Sequence, residues 1–318
     1  MSTTTRARHQ ADVDGKAVTR LGDRVFSGLS TSAAVVILLA LAGVATFLTV
    51  QGLPGITAKP DEVKSGQEFL PYVLPLVYGT LLAAVLALAM AVPVAIGVAL
   101  YISHYAPRRM ATFLGYLVDL LAAVPSVVYG LWGIGWLALR LVPLYDWLNA
   151  TLGFLPFFAG PPSPTGRTIM TASIVLAVMI LPIITAICRE VFLQTPRLHQ
   201  EAALALGATR WEMVRYAVLP YGRSGIVSAS MLGLGRALGE TMAVAMVLSA
   251  AGVVSVNLIS STNPSTIAAN IALTFKEASG LSVNALIASG LVLFVITFAV
   301  NFAARWVVNR RKEFSGAN

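Results

Sequence analysis

The chain has 318 residues, 57% of them hydrophobic and only 11% charged, with a formal charge of +8 and a mean hydropathy of +0.79. Soluble domains carry roughly 25% charged residues, so this composition belongs to an integral membrane protein. A single cysteine, Cys188, excludes an internal disulfide framework, and the scattered histidines His9, His104 and His199 give a haem or zinc site nothing to stand on; no cofactor and no metal are expected.

Residues 1–25 form a polar, basic tail carrying Arg6, Arg8, Lys16, Arg20 and Arg24. The apolar run from Ser30 to Val50 is long enough to cross a hydrocarbon core of roughly 30 Å, and it is too long for the core of a signal peptide. Further apolar segments follow at about 74–100, 112–140, 169–190, 224–252 and 284–307, which makes six spans and an all-α, polytopic bundle. Pro93, Pro125 and Pro182 lie inside these segments, where neighbouring helices or water satisfy the freed carbonyls, so kinked helices are expected. The run AAVPSVVYGLWGIG from Ala122 to Gly135 has two readings, a pathway lining or a kinked packing helix. Asp119 in the same segment also has two, a buried acid or one solvated at the membrane edge.

Orientation follows from where Lys and Arg fall. Sixteen lie in the amino-terminal tail, the second-to-third and fourth-to-fifth connections and the carboxyl end, including Arg305, Arg310, Arg311 and Lys312 at that end. Five lie in the other connections, and Arg236 is inside a span. Both termini and the tail 309–318 are therefore expected in the cytoplasm. The positive charge is a topology signal, and no nucleic-acid partner is needed to explain it. On the outer side, residues 143–167 are rich in aromatics, Pro and Gly, which suits an interface belt or a platform for an external partner. Asn263-Pro264 offers a cap and a first-turn proline for a short helix.

The fifth segment carries GLGRALGETMAV, from Gly233 to Val244. On a continuous helix Arg236 and Glu240 share one face, a turn apart, and Gly233, Gly235 and Gly239 keep the surrounding backbone thin. A charge in a span is costly and usually faces a bundle interior or a watery pathway. Two roles are open for the pair, an ion pathway or the fixing of helix packing.

The fourth-to-fifth connection reads TPRLHQEAALALGATRWEMVRYAVLPYGR, from Thr195 to Arg223. Thr195 as N-cap and Pro196 as first residue predict a helix to Leu206, with Gly207 as its stop. Thr209 and Glu212 have capping-box spacing, which predicts a second helix to about Val218, ahead of Leu219-Pro220. Two short amphipathic helices of this kind either dock on a partner or lie on the membrane surface.

Glu201-Ala202-Ala203, Gly207 and Leu219-Pro220 resemble the EAA loop of ABC importer permeases, with Ala217 where that pattern has Ile. GRALGETMAV (Gly235 to Val244) and LLAAVPSVVYGLWG (Leu120 to Gly133) are similar to PstC-type permeases of the high-affinity phosphate importer. The resemblance implies a type I importer bundle of six spans over 26–308, in the bacterial plasma membrane and surrounded by its lipids. It implies a heterodimer with a second homologous permease, two copies of a cytoplasmic ATPase docked on a coupling loop at 194–220, and an extracytoplasmic phosphate-binding protein. Glu201, Ala202, Ala203, Gly207, Leu219 and Pro220 would be the coupling residues. Arg236 and Glu240 fall on positions the resemblance marks for phosphate passage, and Thr241 is taken with them.

The chemistry suits that role. Phosphate needs a cation to offset its desolvation, and arginine presents a planar fork of donors to an oxyanion. Conduction also needs binding weak enough to release the ion. The hypothesis is that Glu240 neutralises Arg236 at rest and that phosphate displaces or shares the pair. A gradient-driven secondary transporter is a rival, opposed by the lack of an inverted repeat; a permease for sulfate or molybdate is another. No phosphate loop, HExxH or usable carboxylate pair is present, so the chain is not expected to be an enzyme or to hydrolyse ATP itself.

Overall fold

The computed structural model describes residues 21–312, with side chains over 22–306. The expected tail 1–25 therefore lies outside the described residues except at its end, where Leu21 already begins the first helix, and residues 313–318 lie outside as well. Among the described residues there is no strand, only an isolated bridge between Ala250 and Asn263. The helices are α1 (Leu21–Thr57), α2 (Phe69–Leu100), α3 (Arg108–Ala122), α4 (Ser126–Leu152), α5 (Ile169–Leu193), α6 (Arg197–Ala205), α7 (Arg210–Met213), α8 (Leu219–Gly239), α9 (Met242–Val247), α10 (Ile267–Thr274) and α11 (Leu281–Lys312).

Five of these, α1, α2, α4, α5 and α11, are long and apolar enough to cross a membrane. The remaining expected span, the fifth at about 224–252, corresponds to α8, 21 residues long, followed by a break at Glu240–Thr241 and the short α9. Its glycines, Arg223 and Arg236 lower its hydropathy below that of the other five. The segment expected as one span over 112–140 is divided at 123–125, because Pro125 cannot donate to a preceding turn and sits instead at the N-cap of α4. The first part, α3, is amphipathic; the second is the apolar span. Pro93 and Pro182, by contrast, stay inside α2 and α5.

Residues up to Leu48 form one unit and the chain from Thr49 onward a second. In the first, α1 exposes Val35, Val36, Ile37, Leu38 and Leu39 around its circumference, as a helix solvated by lipid or by membrane partners does. In the second, α5 is the central element. Ala83, Ala87, Ala91, Ala95 and Ala99 repeat every four residues along α2, all at most 1% exposed. This row of small side chains lets α2 lie close along α5, the most extensive helix pairing in the fold. Substituting Ala91→Leu forces extra methylenes into that seam and costs about 1–3 kcal/mol. Its thermal midpoint in detergent should fall, whereas Val85→Leu on the exposed face of α2 should leave it unchanged; equal midpoints would contradict the packing.

Asn263 was expected as a helix cap but serves as a fully buried knot. Its Nδ2 donates to the carbonyls of Arg167, Ser249 and Ser260, and its Oδ1 accepts from Ile169 N at 3.1 Å. Thr266 caps α10 in its place, accepting from Ala269 N. The knot ties the entry of α5 to the loop after α9, and so sets where the fifth-span segment ends.

Candidate functional site

Helix α8 ends at Gly239 and does not carry Arg236 and Glu240 on one face. Glu240 has an extended backbone (ψ 125°), and its carboxylate, 8% exposed, accepts from Ala243 N at 3.1 Å in the first turn of α9. Thr241 is the N-cap of α9, its hydroxyl donating to Gly239 O at 3.1 Å. Arg236 lies in the last turn of α8, where the negative end of the helix dipole favours a cation. It forms no ion pair with any described carboxylate. The neutralising pair expected from the i, i+4 spacing is therefore absent: each charge is met by a helix end, and the break between them separates the two.

Helix α9 is held at both ends. Arg167 Nη2 donates to the carbonyls of Met246 and Leu248 at 3.2 and 3.4 Å, opposite Glu240 at the start. Its flank packs on α4, where a side chain at Gly130 would come within 2.9 Å of Ala243 Cα. The α3–α4 break is bridged by Tyr129, whose hydroxyl donates to Leu121 O at 2.9 Å. The Ala122–Gly135 segment thus packs against the short helix that follows the Glu240 break. Of the three glycines, only Gly233 is a close-approach position, facing Ile184; Gly235 and Gly239 face open space.

Gly235 and Arg236 line a groove of about 720 Å³ between α8 and α11, with Ser228 and Met231 on one wall, Asn301 and Arg305 on the other and Ile183 of α5 at its back. Sequence reasoning missed Ser228, Asn301 and Arg305. In the linear sequence Arg305 reads only as a topology charge, and nothing there brings it beside the fifth span. Asp119 is half exposed and pairs with Arg189 Nη2 at 3.6 Å, so it is not a buried acid within this chain.

The connection before α8 carries the other expected residues. Glu201, Ala202 and Gly207 are exposed and Ala203 is half-buried against the core. Helix α6 begins at Arg197, one residue later than expected. The Thr195 hydroxyl is buried without a partner and does not cap it. Gly207 stops α6 at φ 84°, in the left-handed region open to glycine. The Thr209–Glu212 capping box is present, and hydrogen bonds from the Thr209 backbone and hydroxyl lower the Glu212 carboxyl below its ordinary value.

Leu219-Pro220 does not end the second helix. A π-turn over Val214–Val218 runs straight into α8, with Leu219 N bonded to Val214 O. The wider turn spares the chain the clash that a proline ring makes with the carbonyl four residues back. From Arg210 to Gly239 the backbone is one uninterrupted helical rod.

The model of the binding-protein-dependent transport system inner membrane component family matches residues 91–313. The chain belongs to that family. It is 48% identical over 298 residues to the phosphate transport system permease protein PstC 2 of Mycobacterium bovis, covering 90% of this chain and 91% of that one. It is 37% identical over 308 residues to PstC of Mesorhizobium japonicum, covering 93% of both. A bacterial ABC transporter chain involved in import of the acidic polysaccharide alginate aligns with 91% of this chain and 99% of its own, with a TM-score of 0.54 at 17% identity. The inward-facing MetNI methionine ABC transporter aligns with 76% of this chain at a TM-score of 0.50 and 15% identity. Those two structures speak for the fold alone, an ABC importer permease bundle. The chain is thus a multi-pass membrane transport component.

Proposed function

We propose that this chain is the permease subunit of an ATP-driven phosphate importer, with Arg236 on the ion's path. The observation that carries the reading is a half-buried guanidinium without a carboxylate partner, set at a helix break and opening on a groove that also holds Ser228, Asn301 and Arg305. Such a cation is available to an oxyanion in a way that a paired one is not. The PstC relatives support phosphate as the cargo.

In this reading the chain pairs with a second, homologous permease that closes the pathway, and two ATPase subunits dock on α6 and its neighbours. A phosphate-binding protein delivers the ion on the opposite face. The α6–α7 end and both termini face the cytoplasm. Leu198 and Leu206, 76% and 89% exposed, are the apolar contacts for an ATPase groove, with Glu201 and Gly207 beside them. ATP hydrolysis belongs to the docked subunits.

The cargo is tested on the assembled complex with its binding protein by measuring anion-stimulated ATP hydrolysis. Phosphate and the isosteric arsenate should stimulate it and sulfate should not. Stimulation by sulfate in place of phosphate would overturn the assignment.

A further inference from the structure

The groove that holds Arg236 does not end there. From Arg236 it runs back along α8 to Ser228, eight residues or about 12 Å nearer the coupling loop, with Asn301 and Arg305 on the facing wall of α11. A second guanidinium therefore shares one groove with the first, on the side toward which an imported ion must leave.

Its polar groups are complementary to a hydroxylated oxyanion. Arg305 brings donors only. Ser228 spends its proton on Ser224 O at 2.9 Å, so its oxygen is left to accept. Asn301 offers both functions. Phosphate near neutral pH carries acidic hydroxyls as well as charge, so it can donate to Ser228 or Asn301 while accepting from Arg305. Arg236 alone would leave the ion without a cation over the rest of the groove. A second, solvent-exposed arginine lowers that barrier without holding the ion tightly, as multi-site conduction requires.

We propose that Arg305, with Asn301 and Ser228, forms an inner oxyanion step that takes phosphate from Arg236 and passes it to the coupling-loop side. This rests on the reading that Arg236 lies on the phosphate path. A lipid phosphate has the same chemistry as the free ion, so the test separates the two sources.

The experiment is radiolabelled phosphate uptake by the full complex, with its partner permease, ATPase and binding protein, in liposomes of phosphatidylcholine alone and with phosphatidylglycerol added. Arg305→Gln should slow uptake about tenfold in both, the loss of one charged hydrogen-bond donor, while the ATPase stays assembled. Arg305→Lys should recover part of the rate. Asn301→Leu leaves the membrane-face charge intact and should slow uptake by about threefold or more; it decides the matter if Arg305→Gln fails to assemble. Unchanged uptake in the assembled variants would overturn the proposal. A defect confined to phosphatidylglycerol membranes would also overturn it, because Arg305 would then be holding lipid. Normal uptake by Arg236→Gln would instead remove the reading beneath it, whatever Arg305 does.

Discussion

Glu201→Lys and Gly207→Asp should each leave the chain inserted in the membrane but stripped of its ATPase. Gly207 sits at φ 84° with open space around it, so the cost of aspartate there is conformational. A residue with a Cβ pays roughly 1–2 kcal/mol in the left-handed region, aspartate toward or below the low end of that range, and the alternative is to re-aim α6 against the Arg210–Gly239 rod. Glu201 is exposed on α6, so reversing its charge spares the fold and strikes only what docks there. Loss of a docking hot spot is worth about 2 kcal/mol or more, roughly thirtyfold in affinity. Co-purification of the ATPase in detergent measures it directly. Full recovery of the ATPase with both variants, together with normal uptake, would show that this loop is not the coupling element.

The uninterrupted rod from Arg210 to Gly239 gives that prediction its reach. If α7 is where the ATPase pushes, the push would be delivered along α8 to the turn that holds Arg236, with no loop to absorb it. Glu240 and Arg167 fix the two ends of α9 just beyond, so motion of α8 is taken up at the single extended residue between them. The helix break is the place where such a rod can swing.

Composition and apolar runs were sufficient for the all-α membrane class, and the Glu201–Pro220 and Gly235–Val244 motifs for the permease family. The breaks were less legible, for a physical reason. Hydropathy does not fall across Ala123–Pro125, and spacing rules assume the helix goes on through Glu240. What decides both places is three-dimensional: Tyr129 reaching back to Leu121 O, and the Glu240 carboxylate turning to Ala243 N. The π-turn at Val214–Val218 hid in the same way, since Leu219-Pro220 reads as a stop until the wider turn ahead of it is seen. Arg305 could not be found locally, because only the placement of α11 beside α8 brings it into the groove of Arg236. Arg236 itself was legible, since an arginine in an apolar run stands out in any order of reading. Its lack of a carboxylate partner was not, because the helix break that turns Glu240 away leaves no mark in the spacing.

Arg236→Gln should lower phosphate uptake roughly a hundredfold, the upper range for losing hydrogen bonds to a charged group. Glutamine keeps most of the side chain's length and polarity, and Arg236 has no carboxylate partner to be orphaned, so the bundle should assemble as before. Arg236→Lys keeps the charge but loses the planar fork, and should fall between the two. The most direct measurement is the initial rate of radiolabelled phosphate uptake by the reconstituted complex carrying Arg236→Gln, normalised to ATPase-containing complex. A loss of about a hundredfold with the ATPase still in place is the expected result; uptake within about twofold of the unsubstituted complex, below the worth of even one weak hydrogen bond, would contradict the account.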